Sequence, residues 1–212
     1  MRIYAVADIH GRDERLAIIN SNIRHHNPDI LVVAGDISNY VRPARVLAVL
    51  NALPVPVLLI RGNTDRRRLE QLIPAYPNLS ALHLTSQVRH DINFVGCSGT
   101  TLLPFTSKIR FREHPVIHRL APLLDEDSVL IVHPPPRGVR DEVFGRVHAG
   151  SPGIRTLIEA KRPRLVICGH IHERRGVTFL GATCVVNCSI GHSGGGTLIE
   201  LAPSALPSVK ML

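Results

Sequence analysis

The sequence has no tryptophan, and phenylalanine and tyrosine bring its aromatic content to only 4%. Gripping single-stranded nucleic acid by base stacking takes an aromatic platform, and this chain has little to build one from. Cysteine is scarce as well. Cys97, Cys168, Cys184 and Cys188 form no Cys-x-x-Cys pair, so neither a zinc-ribbon site nor a disulfide framework is indicated. Three of them sit in or beside apolar segments, as buried reduced thiols do. No apolar run approaches the ~18 residues that span a bilayer. The first apolar run starts at Ile3 and leaves no room for a signal peptide, which points to the cytoplasm. Acidic residues are in deficit, with 17 Asp+Glu against 25 Lys+Arg. The surplus is almost all arginine, without a basic tail, and its one triplet is Arg66-Arg67-Arg68. Such a surface draws anions, and phosphate-bearing substrates suit it better than sequence-specific nucleic-acid binding.

What is present is a series of short apolar runs, each ending at glycine or proline. At 212 residues with 44% hydrophobic content, the chain suits one globular domain over residues 1–212. Ile3 to Ala7 reads as a buried parallel strand that stops at Asp8-Ile9-His10-Gly11. A strand alternates faces, so Asp8 and His10 point the same way. Arg12 to about Arg24 reads as a helix with Leu16, Ile18, Ile19 and Ile23 along its apolar side, closed by Asn27-Pro28. Asp29 to Ala34 is a second buried strand, ending at Gly35-Asp36, and the crossover length makes the two strands parallel. A helix over Pro43 to Leu53 precedes a third strand, Val57 to Ile60, which ends at Gly62-Asn63-Thr64-Asp65. Asp65 is placed to cap a short helix from Arg66 to Ile73. The arginine triplet there is either a solvated face or a basic lip beside the site.

Beyond Pro74, Leu82 to Leu84 and Ile92 to Cys97 look like short strands, Ser98 to Lys108 a loop, and Glu113 to Leu124 a helix. Ser128 to Val132 is another buried strand and delivers His133, where three prolines forbid a helix. Arg137 to Gly150 reads as a loop. Ser151 and Pro152 then open a helix to about Lys161. Arg164 to Cys168 ends at Gly169-His170-Ile171-His172. Three more strands follow, at Gly176 to Leu180, Thr183 to Asn187 and Thr197 to Leu201. Gly194 to Gly196 reads as a hairpin turn, and the tail after Ala202 as a fraying end.

Five strands thus end in Asp8 and His10, in Asp36, in Asn63, in His133, and in His170 and His172. The carboxyl edge of an open α/β sheet is where sites are built, and carboxylates with imidazoles suit borderline divalent metals. In that order, the blocks Asp-x-His, Gly-Asp, Gly-Asn, His and Gly-His-x-His resemble the calcineurin-like metallophosphoesterase superfamily, from residue 3 to about 190. The chain looks most like the small prokaryotic members that share its length and its Gly-Asn-x-Asp block.

The resemblance implies a four-layer α-β-β-α sandwich with two mixed β-sheets flanked by helices. It also implies two divalent metal ions, manganese foremost, with iron, zinc or nickel as alternatives. By motif, one ion takes Asp8, His10 and His172; the other takes Asn63, His133 and His170; Asp36 bridges them. The implied activity is hydrolysis of phosphate esters, diesters before monoesters, by a hydroxide held between the metals. Asn63 would then also touch substrate. Well-studied members carry histidine after Gly-Asn, as leaving-group acid, where this chain has Thr64. Acid catalysis is typically worth about 10²–10⁴-fold, so a substitute matters. His148, in a loop between two ligand strands, is the candidate; His114, His118 and His192 are weaker ones. Arg12 is a candidate for substrate phosphate. Two other readings stay open: an interaction scaffold on this fold, and a nuclease. Oligomeric state is open too, a homodimer included.

Overall fold

The computed structural model describes residues 1–40, 43–99, 109–145, 147–191, 194–203 and 205–212. In chain order the strands are β1 (Arg2–Val6), β2 (Ile30–Ala34), β3 (Val57–Ile60), β4 (Leu79–Ala81), β5 (Thr85–Arg89), β6 (Ile92–Cys97), β7 (Val129–Val132), β8 (Glu142–Val143), β9 (Val147–His148), β10 (Leu165–Cys168), β11 (Gly176–Leu180), β12 (Thr183–Asn187), β13 (Thr197–Glu200) and β14 (Ser208–Met211). The α-helices are α1 (Asp13–His26), α2 (Pro43–Asn51), α3 (Arg68–Leu72), α4 (Ile109–Leu120) and α5 (Pro152–Lys161).

Two mixed six-stranded sheets result, in the orders β14-β13-β1-β2-β3-β4 and β11-β12-β10-β7-β6-β5. The inner strands of each are parallel; antiparallel pairs close both flanks of the second sheet and the β14 side of the first, while β4 joins β3 in parallel. Alternation along β1 sorts the core. Ile3, Ala5 and Ala7 face the second sheet and meet Phe94, Ile131, Ile167 and Val186. Tyr4 and Val6 face the other way, onto Leu16, Ile19 and Ile23 of α1 and Leu47 and Leu50 of α2. The outer face of the second sheet packs Leu130 and Val166 under Leu157 and Ile158 of α5 and Leu120 of α4. Three apolar layers between four structural layers make the expected α-β-β-α sandwich. An inner strand buried on both sides has no polar face to show, which is why these strands read as continuous apolar runs.

Local capping follows the sequence in places. Ser151 accepts the Ile154 N–H at 3.0 Å and so starts α5. Asn27, at φ 46°, ends α1, and its N–H donates to Ile23 O.

Several expectations fail for physical reasons. Ile18 is exposed, because the buried stripe of α1 is Leu16, Ile19 and Ile23. Leu82 to Leu84 is no strand; β4 lies just before it. Gly194 to Gly196 is not a hairpin turn, because β12 and β13 belong to different sheets, and the glycines lie in the passage between them. The tail does not fray: β14 pairs antiparallel with β13 and forms the edge of the first sheet. Residues 137–150 are not all loop, since β8 and β9 make a small hairpin. The stretch 100–108 and His192 lie outside the described residues.

Candidate metal centre

The carboxyl ends of β1, β2, β3, β7 and β10 meet at one edge, where the two sheets are also tied together. Ala7 and Ser189 form a parallel bridge between them, with Ala7 N–H donating to Cys188 O and Ile190 N–H to Ala7 O. Asp8, His10, Asp36 and His170 all adopt positive φ, at 63°, 52°, 52° and 70°. Each costs on the order of 1–3 kcal/mol outside glycine. Four such residues at one edge mean the surrounding structure holds them there. Asp8 N–H donates to Gly35 O, His10 N–H to Asp36 O and Gly11 N–H to Ile37 O, so the first two turns are zipped together.

The approach is close enough to require glycine. A Cβ on Gly62 would lie 2.1 Å from Asp36 Oδ1, and one on Gly35 2.5 Å from His133 Nδ1.

Two overlapping sets of ligating atoms result. Asp8, His10 and His172 form one and Asp8, Asp36 and His133 the other, each with its atoms within 4.8 Å of one another. Asp8, not Asp36 alone, therefore reaches both sides: Asp8 Oδ1 is 3.3 Å from His172 Nε2 and 4.0 Å from His133 Nε2. Asp36 lies 3.5 Å from His133 and 3.8 Å from His10. Asn63 Oδ1 stands 3.0 Å from His133 Nε2. The His170 ring packs edge-on against His133 with centroids 5.0 Å apart. All seven sequence candidates converge.

The donor set fits a cation. His133 is fully buried, and its Nδ1–H donates to Ala34 O at 2.8 Å. That bond leaves the Nε2 lone pair facing Asn63 Oδ1, Asp36 Oδ1 and Asp8 Oδ1, all acceptors. A proton or a cation must sit among them. The electrostatics carry the same message. Burial alone would lower His133, but the Asp36 bond and the charges of Asp8 and Asp36 push it up to about 9. Burial pushes His170 down to about 4 and also lowers His10, so both are neutral and ready to ligate. Burial would raise Asp8 and Asp36, yet their histidine partners hold both below the usual carboxylate range.

Around these groups lie residues that hold them. Asp65 caps no helix. Its carboxylate accepts the N–H groups of Ile37, Ser38 and Gly62 at 2.8–3.0 Å, and the Ser38 hydroxyl at 3.1 Å. Burial raises its pKa against these bonds. Thr64 Oγ1 donates to Ser38 O at 3.0 Å and lies 3.4 Å from His10 Nδ1. Asn187 Nδ2 donates to Ile171 O and so fixes the turn carrying His170 and His172. Arg15, from α1, donates to the Asp8 carbonyl. None of these four roles was read from the sequence. The only signals were a buried acid just beyond Gly-Asn and a basic residue one turn into α1.

The remaining candidates divide. Arg12 is exposed at the start of α1, and Arg66, Arg67 and Arg68 are exposed too. His114 and His118 are exposed on α4, outside the cluster. His148, on β9, is bonded through Nδ1 to Asp141 Oδ1 at 2.8 Å.

A family model described as calcineurin-like phosphoesterase matches residues 1–174. The chain belongs to that family. It is thereby a hydrolase of the metal-dependent phosphoesterase class. An uncharacterized protein, MJ1162, of Methanocaldococcus jannaschii is 29% identical over 202 residues, covering 89% of this chain and 88% of that protein. The crystal structure of TT1561 of Thermus thermophilus superimposes with a TM-score of 0.71 at 16% identity, over 99% of this chain and 98% of that one. A structure described as a novel archaeal phosphodiesterase gives 0.56 at 15% identity over the whole of both chains. At these identities the superpositions show the fold. No helix among the described residues is long and apolar enough to cross a membrane.

Proposed function

We propose that this phosphoesterase acts on small phosphodiesters in preference to monoesters. In this reading Asp8, His10 and His172 hold one divalent cation, Asn63, His133 and His170 hold the other, and Asp36 lies between them. The observation that carries it is the His133 Nε2 lone pair, aimed at three acceptor oxygens with its other nitrogen already bonded. Manganese is the first metal to try, since the mixed carboxylate, amide and imidazole set suits it. Bound there, two such cations supply Lewis acidity at the phosphoryl group and lower the pKa of nearby water. The free thiols of all four cysteines fit a reducing compartment, the cytoplasm.

The protein's own groups do the rest. Asn63 is exposed and its amide N–H groups are uncommitted among the described residues, so they can donate to a phosphoryl oxygen. Arg12 presents a charge beside the first motif. The side chains of His10 and His172 keep 17% and 30% of their surface exposed, so the edge is open and leaves room for a diester's second ester arm. Thr64 does not replace the missing acid, because its proton is given to Ser38 O.

His148 takes that part. Asp141 is fully buried and accepts from both Gly150 N–H and His148 Nδ1–H, which leaves Nε2 as the His148 nitrogen that would serve a leaving group. The hairpin is latched to the ligand turn: Glu142, opposite His148, pairs at 2.6 Å with Arg174, two residues past His172.

The test is hydrolysis of bis(p-nitrophenyl) phosphate and of the monoester by metal-stripped protein given Mn²⁺, beside a His133→Ala control. Faster diester turnover, abolished in the control, supports the reading, and a faster monoester overturns the preference. His148→Asn should slow phenyl esters far more than p-nitrophenyl esters, by roughly 10²-fold or more. An equal effect on both removes His148 as the acid. Metal binding without turnover on either ester would point to a scaffold.

A further inference from the structure

Five arginines of this chain have a carboxylate each. Arg2, Arg45, Arg155, Arg162 and Arg174 pair with Glu200, Asp13, Glu159, Glu126 and Glu142 at 2.5–2.9 Å. A group of three differs. Arg61, Arg67 and Arg119 share a single acid, Glu70, and all four act on His83 electrostatically. Arg67 and Arg119 make no ion pair with any carboxylate among the described residues. Arg61 and Glu70 approach only to 3.4 Å, and Arg61 Nε and Glu70 Oε1 are both buried without a hydrogen-bond partner. Three guanidinium charges therefore face one loosely held carboxylate.

The cluster is built into the ligand edge. Arg61 follows β3 and stands two residues before Asn63, and its guanidinium also reaches Asp65 O at 3.4 Å. Arg61 N–H donates to Ser98 Oγ, and Ser98 N–H donates to His83 Nδ1. With Nδ1 accepting, the His83 proton is on Nε2, another donor. Burial and the three arginines lower its pKa, so it adds a donor without a further charge. Arg67, His83 and Arg119 are exposed, while the Arg61 side chain is 14% exposed. A largely buried guanidinium with exposed donors nearby suits a phosphate group, which accepts several charge-assisted bonds at once.

We propose that this cluster is a second phosphate subsite. It rests on the phosphoesterase reading and extends it: the substrate is a small phosphate ester that carries another phosphoryl group, held on the Asn63 side of the site. A single phosphate at the scissile position leaves these charges unanswered.

Two esters with one leaving group test it. Thymidine 5′-(p-nitrophenyl phosphate) has one phosphate, and its 3′-phosphorylated counterpart has two. The Mn²⁺-loaded wild type should hydrolyse the second with a kcat/KM on the order of tenfold higher, the worth of one charge-assisted bond. Arg67→Gln and Arg119→Gln should erase that preference. Lys210→Gln, which removes a charge from β14, should keep it. Calorimetry on the metal-stripped protein gives a second readout: adenosine 3′,5′-bisphosphate should bind more tightly than the 5′-monophosphate, and Arg119→Gln should cancel the difference. Equal kcat/KM for both esters in the wild type, or a preference that survives in both arginine variants, overturns the subsite and leaves the phosphoesterase reading standing. No turnover with the calorimetric difference intact does the reverse. Salt-sensitive binding of an oligonucleotide far tighter than the bisphosphate overturns the small-molecule assignment.

Discussion

Thr64 Oγ1 lies 3.4 Å from His10 Nδ1 and donates its own hydrogen bond to Ser38 O. The hydroxyl is thus acceptor to His10 and donor to Ser38, which leaves the His10 Nε2 lone pair facing the site. In this chain the residue after Gly-Asn holds His10, a ligand candidate, with its own proton already committed to Ser38 O. Removing such an outer partner typically costs about 10–100-fold in metal affinity. Thr64→Val should show a loss of that size in Mn²⁺ titration calorimetry, and Thr64→Ser should restore it. Wild-type affinity in the valine variant would show that the hydroxyl does not orient His10.

Asp65 is the stronger structural bond. Ile37, Ser38 and Gly62 give their backbone N–H groups to it, and their neighbours Asp36 and Asn63 are ligand candidates on two different strands. Asp65→Ala would strand three buried donors. At about 1–3 kcal/mol for each unsatisfied group, the metal-stripped variant should lose roughly 3 kcal/mol or more in urea unfolding. Asp65→Asn keeps one accepting oxygen and should fall between. A loss under about 1 kcal/mol in the alanine variant would mean water replaces the carboxylate.

What the sequence made legible and what it hid divide along one physical line. The ligand candidates were visible because each follows a strand buried on both faces, and such strands are apolar runs broken at glycine or proline. Asp65 reads as a cap because two of its three backbone partners lie 27 and 28 residues away, and helix-start chemistry is the local default for an aspartate. β5 and β14 are edge strands with polar outer positions, so they lack the apolar run. β8 and β9 are two residues each, too short for any period to show. Gly194 to Gly196 looked like a hairpin because glycine clusters mark a change of direction without saying which sheet comes next.

The cysteines give a prediction independent of the metal centre. All four are buried and unpaired. Burial pushes the Cys97 thiol up to about 12 and Cys184 up to about 11, and raises Cys168 and Cys188 as well. The thiolate is the reactive form. At pH 8 a disulfide reagent such as dithionitrobenzoate should therefore leave the native protein almost untouched, and should count four thiols after denaturation. Rapid reaction of one thiol in the native state would show a local opening, and Cys97, the least buried of the four, is where it would be sought.

The histidines set opposite limits on the metal-stripped protein. His133 has a folded-state pKa raised to about 9 from an ordinary 6.5, so its protonation stabilises the fold below pH 6.5 and that contribution fades as pH rises through 9. His170 runs the other way. Its pKa is lowered to about 4, so the fold loses stability as pH drops below 6.5 towards 4, where the unfolded chain takes up a proton that the folded site refuses. Asp8 and Asp36, both lowered, add to the loss in acid. Metal-stripped protein should therefore be most stable near pH 6.5, with Tm falling from there to pH 9. His133→Asn should flatten the alkaline arm. Metal-loaded protein should keep its Tm over the same alkaline range, because divalent cations bind neutral imidazole and compete less with protons as pH rises. An alkaline fall of equal size with and without Mn²⁺ would show that His133 is not where proton and metal compete.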